Sequence, residues 1–298
     1  MLLLASHIAV SVPPLVAAHE IGAAQALKQS SEGIGWAKVI VAALGSGFVL
    51  KILDIFYQEI RRYYDNLHST SSFINQHLDP LLKAADELVG KLLSLGREDF
   101  KTFSGVDVET PYVHPDFVST SFLFAMFWAQ IEILRQQALY VSISAEERGR
   151  QLQKFLDCLE SRKVRLIDRI SQRAIGETLL AESGTATIPY IEFAETLLDS
   201  DYEDLPDTPY WLLPLEAILK KATHTTERQQ LLKYGVIVHA MIDTLDPDHS
   251  VTKARSPIPN KLSIRTWRDL NYRVFGPYLG FVKDREKYIG RPRRRGVR

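Results

Sequence analysis

Apolar residues recur at three- and four-residue spacing along most of the chain, and no run alternates convincingly with period two, so the pattern predicts an all-α protein. One long apolar stretch is Ile34 to Tyr57, IGWAKVIVAALGSGFVLKILDIFY, which is uncharged from Val39 to Leu50. A bilayer core of about 30 Å needs roughly 20 such residues in a helix. Lys38 and Lys51 flank the run, and their ammonium groups can reach the interface while their methylenes stay in hydrocarbon. Trp36 and Tyr57 stand near its ends, where amphipathic rings favour the headgroup layer. The segment is read as one N-terminal transmembrane helix. The competing reading, a core helix of a soluble protein, draws on Lys38, Lys51 and Asp54.

Lys51, Arg61 and Arg62 follow the apolar run, against Lys28 and Lys38 before it. That bias places the main domain in the cytoplasm. Met1 to Ala18 is apolar but lacks a positive n-region and contains Pro13-Pro14, so it is read as an uncleaved arm or half-span. Localisation is thus a single-pass membrane protein, with a short N-terminal hairpin as the variant topology.

Beyond the span the periodicity predicts an irregular helical bundle. Asp79-Pro80 reads as an N-cap and first-turn proline, opening a helix with Leu81, Leu82, Ala85, Leu88, Val89, Leu92 and Leu95 on one stripe. Lys101 to Pro115 reads as a loop. The next helix, about Asp116 to Val141, contains FLFAMFWAQIEIL, an apolar run too short to span on its own and therefore expected to be the central core helix. Ser144-Ala-Glu-Glu147 has the form of a capping box and starts one long helix, with Leu152, Phe155, Leu156, Leu159, Leu166, Ile167 and Ile170 as its core stripe. Arg148, Arg150, Lys154, Arg162, Lys163, Arg165, Arg169 and Arg173 form its solvated face. Short helices follow over Pro189 to Leu198 and Tyr210 to Lys221, then a longer one over Thr226 to Leu245. The resulting division is an apolar arm (1–33), the span (34–57), a helical domain (58–245) with an acidic segment (174–219), and a proline-containing loop with a basic C-terminal segment (246–298).

The chain of 298 residues is neutral overall, yet its charge is segregated. From Lys261 to Arg298 twelve basic residues face three acidic ones, a net of +9 balanced by −9 elsewhere. From Ala174 to Leu219 there is no Lys or Arg. The group DSDYEDLPD resembles a calcium loop in part, but Asp204 stands where the EF-hand glycine belongs and Tyr210 where its last glutamate belongs. No metal or cofactor is therefore expected. The single cysteine, Cys158, excludes an intrachain disulfide and suits a reducing compartment.

Chemistry-bearing residues are few. His239 and Asp243, four apart on one helix, share a face, and Glu132 interrupts an apolar helix; these are the catalytic candidates. Each has a bland alternative as a satisfied core residue. Arg265, Arg268, Arg273, Arg291, Arg293, Arg294 and Arg295 are candidates for anion or lipid binding, because basic residues near an anionic leaflet gain about 1 kcal/mol each. The partners expected are the bilayer, anionic headgroups met by the C-terminal tail, and a protein; nucleic acid is the weaker match, since Trp267, Tyr272, Phe275 and Tyr278 are as well explained by a core. The leading functional expectation is a membrane-anchored, non-enzymatic interaction or regulatory module. The alternatives are a membrane-bound hydrolase or transferase for a phosphate-containing substrate, with His239, Asp243 and arginine clamps, and a membrane-perturbing toxin or defence effector.

Overall fold

Leucines spaced by three and four build the first helix, and the same spacing decides which of its faces meets the rest of the chain. A computed structural model describes Tyr57 and residues 77–106, 111, 114–138, 146–181, 184, 186–198 and 210–291. The arm 1–33, the span 34–57 apart from Tyr57, and the acidic group 199–207 lie outside the described residues. The chain divides into Met1–Asp65 and Asn66–Arg298, and every described residue from 77 onward belongs to the second unit.

Helix α1 covers 77–97 and buries Leu78, Leu81, Leu82, Ala85, Leu88, Val89, Leu92 and Leu95. It already includes His77, so Asp79 and Pro80 lie inside it rather than at its start. Leu78, fully buried, shows why: packing of that turn on the core overrides the local start signal. The helix ends on two left-handed residues, Asp99 and Phe100 at φ 54° and 58°. Phe100 N–H reaches back to the Leu95 carbonyl at 2.8 Å, and burial of the Phe100 ring offsets the strain. The expected loop after it opens with a 3-10 helix, Lys101–Gly105, which packs Phe103 between Phe100 and Phe117.

Helix α2, Pro115–Ala138, is the central element. Within it Pro115–Gln137 is long and apolar enough, at mean hydropathy 1.5, to cross a membrane. This corrects the expectation that the run around Phe122–Leu134 is too short, because the flanking turns extend it. Some 72% of its most apolar window is buried within the protein, so its apolar surface is already used against α4, α5 and α6.

The long helix expected from Ser144 to Arg173 is two helices. Helix α3 is Glu147–Glu160, with Glu146 at its N-cap and no side-chain cap bond, so the capping box does not start it. Helix α4 is Arg169–Thr178, capped by Asp168, whose carboxylate accepts from Ile170 and Ser171 N–H. The turn between them hid in the periodicity because Val164, Leu166 and Ile167 are also buried. Ile170, assigned to the core stripe, is 79% exposed. Helices α4 and α2 cross at Gly176, where a Cβ would lie 2.8 Å from the Trp128 carbonyl carbon; only glycine allows that approach.

Helix α5, Tyr190–Leu198, packs Tyr190 and Phe193 on Phe122. Helix α6, Leu213–Lys220, buries Leu215 and Leu219. Helix α7, Thr225–Leu245, lies against α3, and the Arg148 guanidinium donates to the Leu245 carbonyl at its C-terminus. In the interior Trp128 Nε1 donates to Tyr234 Oη at 2.9 Å. After α7 the chain runs extended to a 3-10 turn, Pro259–Lys261. Helix α8, Ile264–Asp269, is capped by Ser263 and passes into a π-helical turn, Leu270–Phe275. Helix α9 is Arg285–Ile289. Leu270, Val274, Phe275, Leu279, Tyr288 and Ile289 join the same core as α1 to α7. The described residues form an all-α fold whose only β pairing is an isolated bridge between Leu180 and Thr187.

Candidate functional site

Glu132 projects from α2 into an ion-pair network beside a void of only about 10 Å³. Arg135 donates to it and also pairs with Glu160, while Arg169 stands 3.7 Å from Glu160 and Arg173 3.7 Å from Glu132. Four charged residues thus fasten α2, α3 and α4 around a buried carboxylate, the arrangement that lets such a charge persist. Two arginines read as a solvated face, Arg169 and Arg173, belong to this network. Cys158 is fully buried, and burial pushes its thiol up to about 12, so no thiolate forms near neutral pH.

His239 and Asp243 do share a face of α7, with Nε2 3.7 Å from Oδ1. Asp243 Oδ2 accepts from Tyr288 Oη at 2.9 Å and from Lys287 Nζ, both on α9. His249 Nε2 lies 3.7 Å from the same Asp243 Oδ1. His249, Lys287 and Tyr288 were not visible as site residues, because only folding brings positions six to forty-five residues away against Asp243. The one sequence signal was the cluster after α7. Asp246 accepts from Ser250 and Thr252 hydroxyls and from the N–H groups of Ser250, Val251 and Thr252. That knot holds His249 in the left-handed region at φ 51°, a conformation an L-residue takes only when its surroundings enforce it. Burial pushes the Asp246 carboxyl upward, but the bonds from Thr252, Val251 and Ser250 outweigh it and hold the group well below the usual carboxylate range. Burial likewise lowers the His239 imidazole below its ordinary value, against the Asp243 charge, which raises it. His239 and Tyr288 line a slot of about 20 Å³ with Val89, Leu92 and Leu232, which has room for little more than one water. Among the described residues no three His, Cys, Asp or Glu side chains are placed to hold a metal ion.

Arg265, Arg268 and Arg273 come together elsewhere, in an open groove of about 1210 Å³ between the N-terminal half of α7 and the α8–π segment. Gln229 fixes this junction: its amide donates to the Lys261 carbonyl at 2.9 Å and its Oε1 accepts from Ser263 N–H at 2.8 Å. Asp269 in the groove pairs with Lys233 at 3.0 Å and Arg273 at 3.7 Å. Arg265 and Arg268 are exposed and have no ion-pair or hydrogen-bond partner among the described residues. Beside them Ile264 and Tyr272 are 58% and 67% exposed, while Trp267 packs edge-on against Tyr272 and donates to the Gly290 carbonyl. Arg291 pairs with Glu286 at 3.1 Å on the surface. Arg293, Arg294 and Arg295 lie outside the described residues. His239 and the arginines therefore line separate concavities.

Fold and surface define an all-helical domain with a basic open groove on its C-terminal segment. No family model, characterised protein or solved structure matches the chain.

Proposed function

We propose that the protein is a membrane-tethered, non-enzymatic interaction or regulatory module whose docking surface is the α7–α8 groove, and that its partner there is the headgroup of a lipid with net negative charge. The observation that carries the reading is the pair Arg265 and Arg268, three residues apart on one helix and without a counter-ion among the described residues. Guanidinium groups suit phosphate oxygens because of their planar fork of donors. Exposed Ile264 and Tyr272 beside them add apolar surface of the kind that enters the headgroup layer. The tether is Ile34 to Tyr57, supported by its length and its lysine and aromatic flanks, with the described domain on the cytoplasmic side. The rival phosphate-handling enzyme asks His239, Asp243 and the arginine clamps to converge, and their separate concavities give that reading no support.

The test titrates detergent-solubilised full-length protein with mixed micelles of phosphatidylserine or phosphatidylcholine. Binding to phosphatidylserine should weaken with salt, and Arg265→Gln/Arg268→Gln should weaken it about 30-fold, from about 1 kcal/mol per basic residue. Equal affinity for the two lipids, or no change in the double variant, overturns the reading.

A further inference from the structure

Asp243 Oδ1, buried and without a hydrogen-bond partner, faces two imidazoles. Thr252 Oγ1 donates to Asp246 Oδ2 at 2.8 Å, and a carboxylate can only accept, so the threonine proton is committed. The 3.1 Å contact between Thr252 Oγ1 and His249 Nδ1 is then a bond donated by Nδ1–H, which leaves His249 Nε2 as a bare lone pair. His239 Nε2, like Asp243 Oδ1, is buried and has no hydrogen-bond partner. Both Nε2 atoms lie 3.7 Å from Asp243 Oδ1. A buried acceptor left without a donor is costly, and a protonated imidazole that closes the 3.7 Å gap supplies Asp243 Oδ1 with one.

We propose that His239, His249 and Asp243 form a proton-binding site that acts as a latch on α9. The charged and titratable groups facing it are Lys287 and Tyr288 from α9, both bonded to Asp243 Oδ2; Arg255 from the extended segment, whose guanidinium is held by Asp86 on α1; Asp246, saturated by its five donors; and Asp284, near Tyr288. Of these only the Lys287 ammonium both shares the Asp243 carboxylate and is free to leave, being 44% exposed. Proton uptake weakens the α7–α9 tie through Lys287, because an imidazolium beside Oδ1 and the ammonium on Oδ2 repel one another and share a single negative charge. Loosening α9 acts on α8 through the Trp267–Gly290 bond and on the π turn that α9 packs against. The latch itself is independent of the groove's role; only its bearing on headgroup binding rests on the docking reading.

Linkage makes the proposal quantitative, since Lys287 must shift the histidine titration by the same factor that the proton shifts the Lys287 tie. The experiment uses full-length protein. Histidine titrations are read by NMR in wild type and Lys287→Gln, and α9 amide exchange, corrected for intrinsic rate, is followed by mass spectrometry from pH 8 down through the histidine range (about 6.5 and below). Lys287→Gln should raise at least one of the two histidine pKa values. Wild-type α9 exchange should rise on acidification by about tenfold for each pKa unit of that shift, and His239→Gln/His249→Gln should flatten the rise. Histidine titrations indifferent to Lys287, α9 exchange that does not rise with acid, or an equal rise in the double variant would each overturn the latch. Phosphatidylserine binding at pH 8, wild type against Arg265→Gln/Arg268→Gln, reports on the groove, and its failure leaves the latch result standing.

Discussion

Two helical glycines set a discriminating test of how α2 and α4 meet. Replacing either Gly176 or Gly235 by alanine removes backbone freedom from the unfolded chain and gains about 1 kcal/mol of helix propensity. What differs is the atom that receives the new methyl group. At Gly176 it would lie 2.8 and 2.9 Å from the carbonyl carbon and oxygen of Trp128 and 3.0 Å from Ala129 N, all backbone of the central helix, which cannot rotate away. The helices must part by roughly half an ångström to restore ordinary contact, lifting buried Gln172, Ile175 and Leu179 off α2. Overpacking costs about 1–3 kcal/mol; against backbone that cannot yield it falls at about 2–3, so after the propensity gain of about 1 kcal/mol Gly176→Ala should lose about 1–2 kcal/mol net and lower Tm by roughly 2–8 °C. At Gly235 the nearest atom is Leu92 Cδ1 at 3.3 Å, the end of a side chain that can yield, so Gly235→Ala should fall between neutral and about 1 kcal/mol stabilising. Urea and thermal unfolding of the full-length variants, followed by near-ultraviolet circular dichroism, supplies both numbers. If the two variants are equally stable within about 0.5 kcal/mol, the backbone contact between α2 and α4 is not as described.

Asp246→Ala strips the acceptor from three N–H groups and two hydroxyls and should cost about 3 kcal/mol in urea unfolding at neutral pH. Because the folded Asp246 carboxyl titrates below its unfolded value, its stabilisation is present above the unfolded carboxylate range and is lost as pH falls toward the folded pKa; the gap between variant and wild type should therefore narrow at acid pH. Arg255→Met leaves Asp86, 7% exposed, without the guanidinium that now holds it at 2.6 and 2.9 Å. A loss of about 2–3 kcal/mol is expected, with strong coupling to Asp86→Asn in a double-mutant cycle. Cys158, buried and with its thiol pushed up to about 12, should resist maleimide at pH 8 in the native protein and react once urea unfolds it.

The helical class and most core stripes were legible because they rest on spacing within single elements. The α1 leucines and the start and end of α7 follow from a local period that any buried helix face must show. The break between α3 and α4 was not legible: Val164, Leu166 and Ile167 keep the spacing while the backbone turns, since a loop packed on the core also places apolar residues inward. The candidate sites divide in the same way. His239 and Asp243 are one helical turn apart, so their shared face is a local fact, and so is the i, i+3 relation of Arg265 and Arg268.

The amino-acid sequence by itself determined the all-α class, the apolar N-terminal stretch, the central position of the Phe122–Leu134 run and the charge reversal toward the C-terminus, all of them consequences of residue order over a few turns. Tertiary structure alone decided that Glu132 is clamped by arginines from neighbouring turns and helices, that His249 and α9 close on Asp243, and that the arginine groove lies apart from the histidines. Those are relations between elements, set by which faces bury against each other. A 3.6-residue period marks which face of a helix is apolar and carries no record of which other element will cover it.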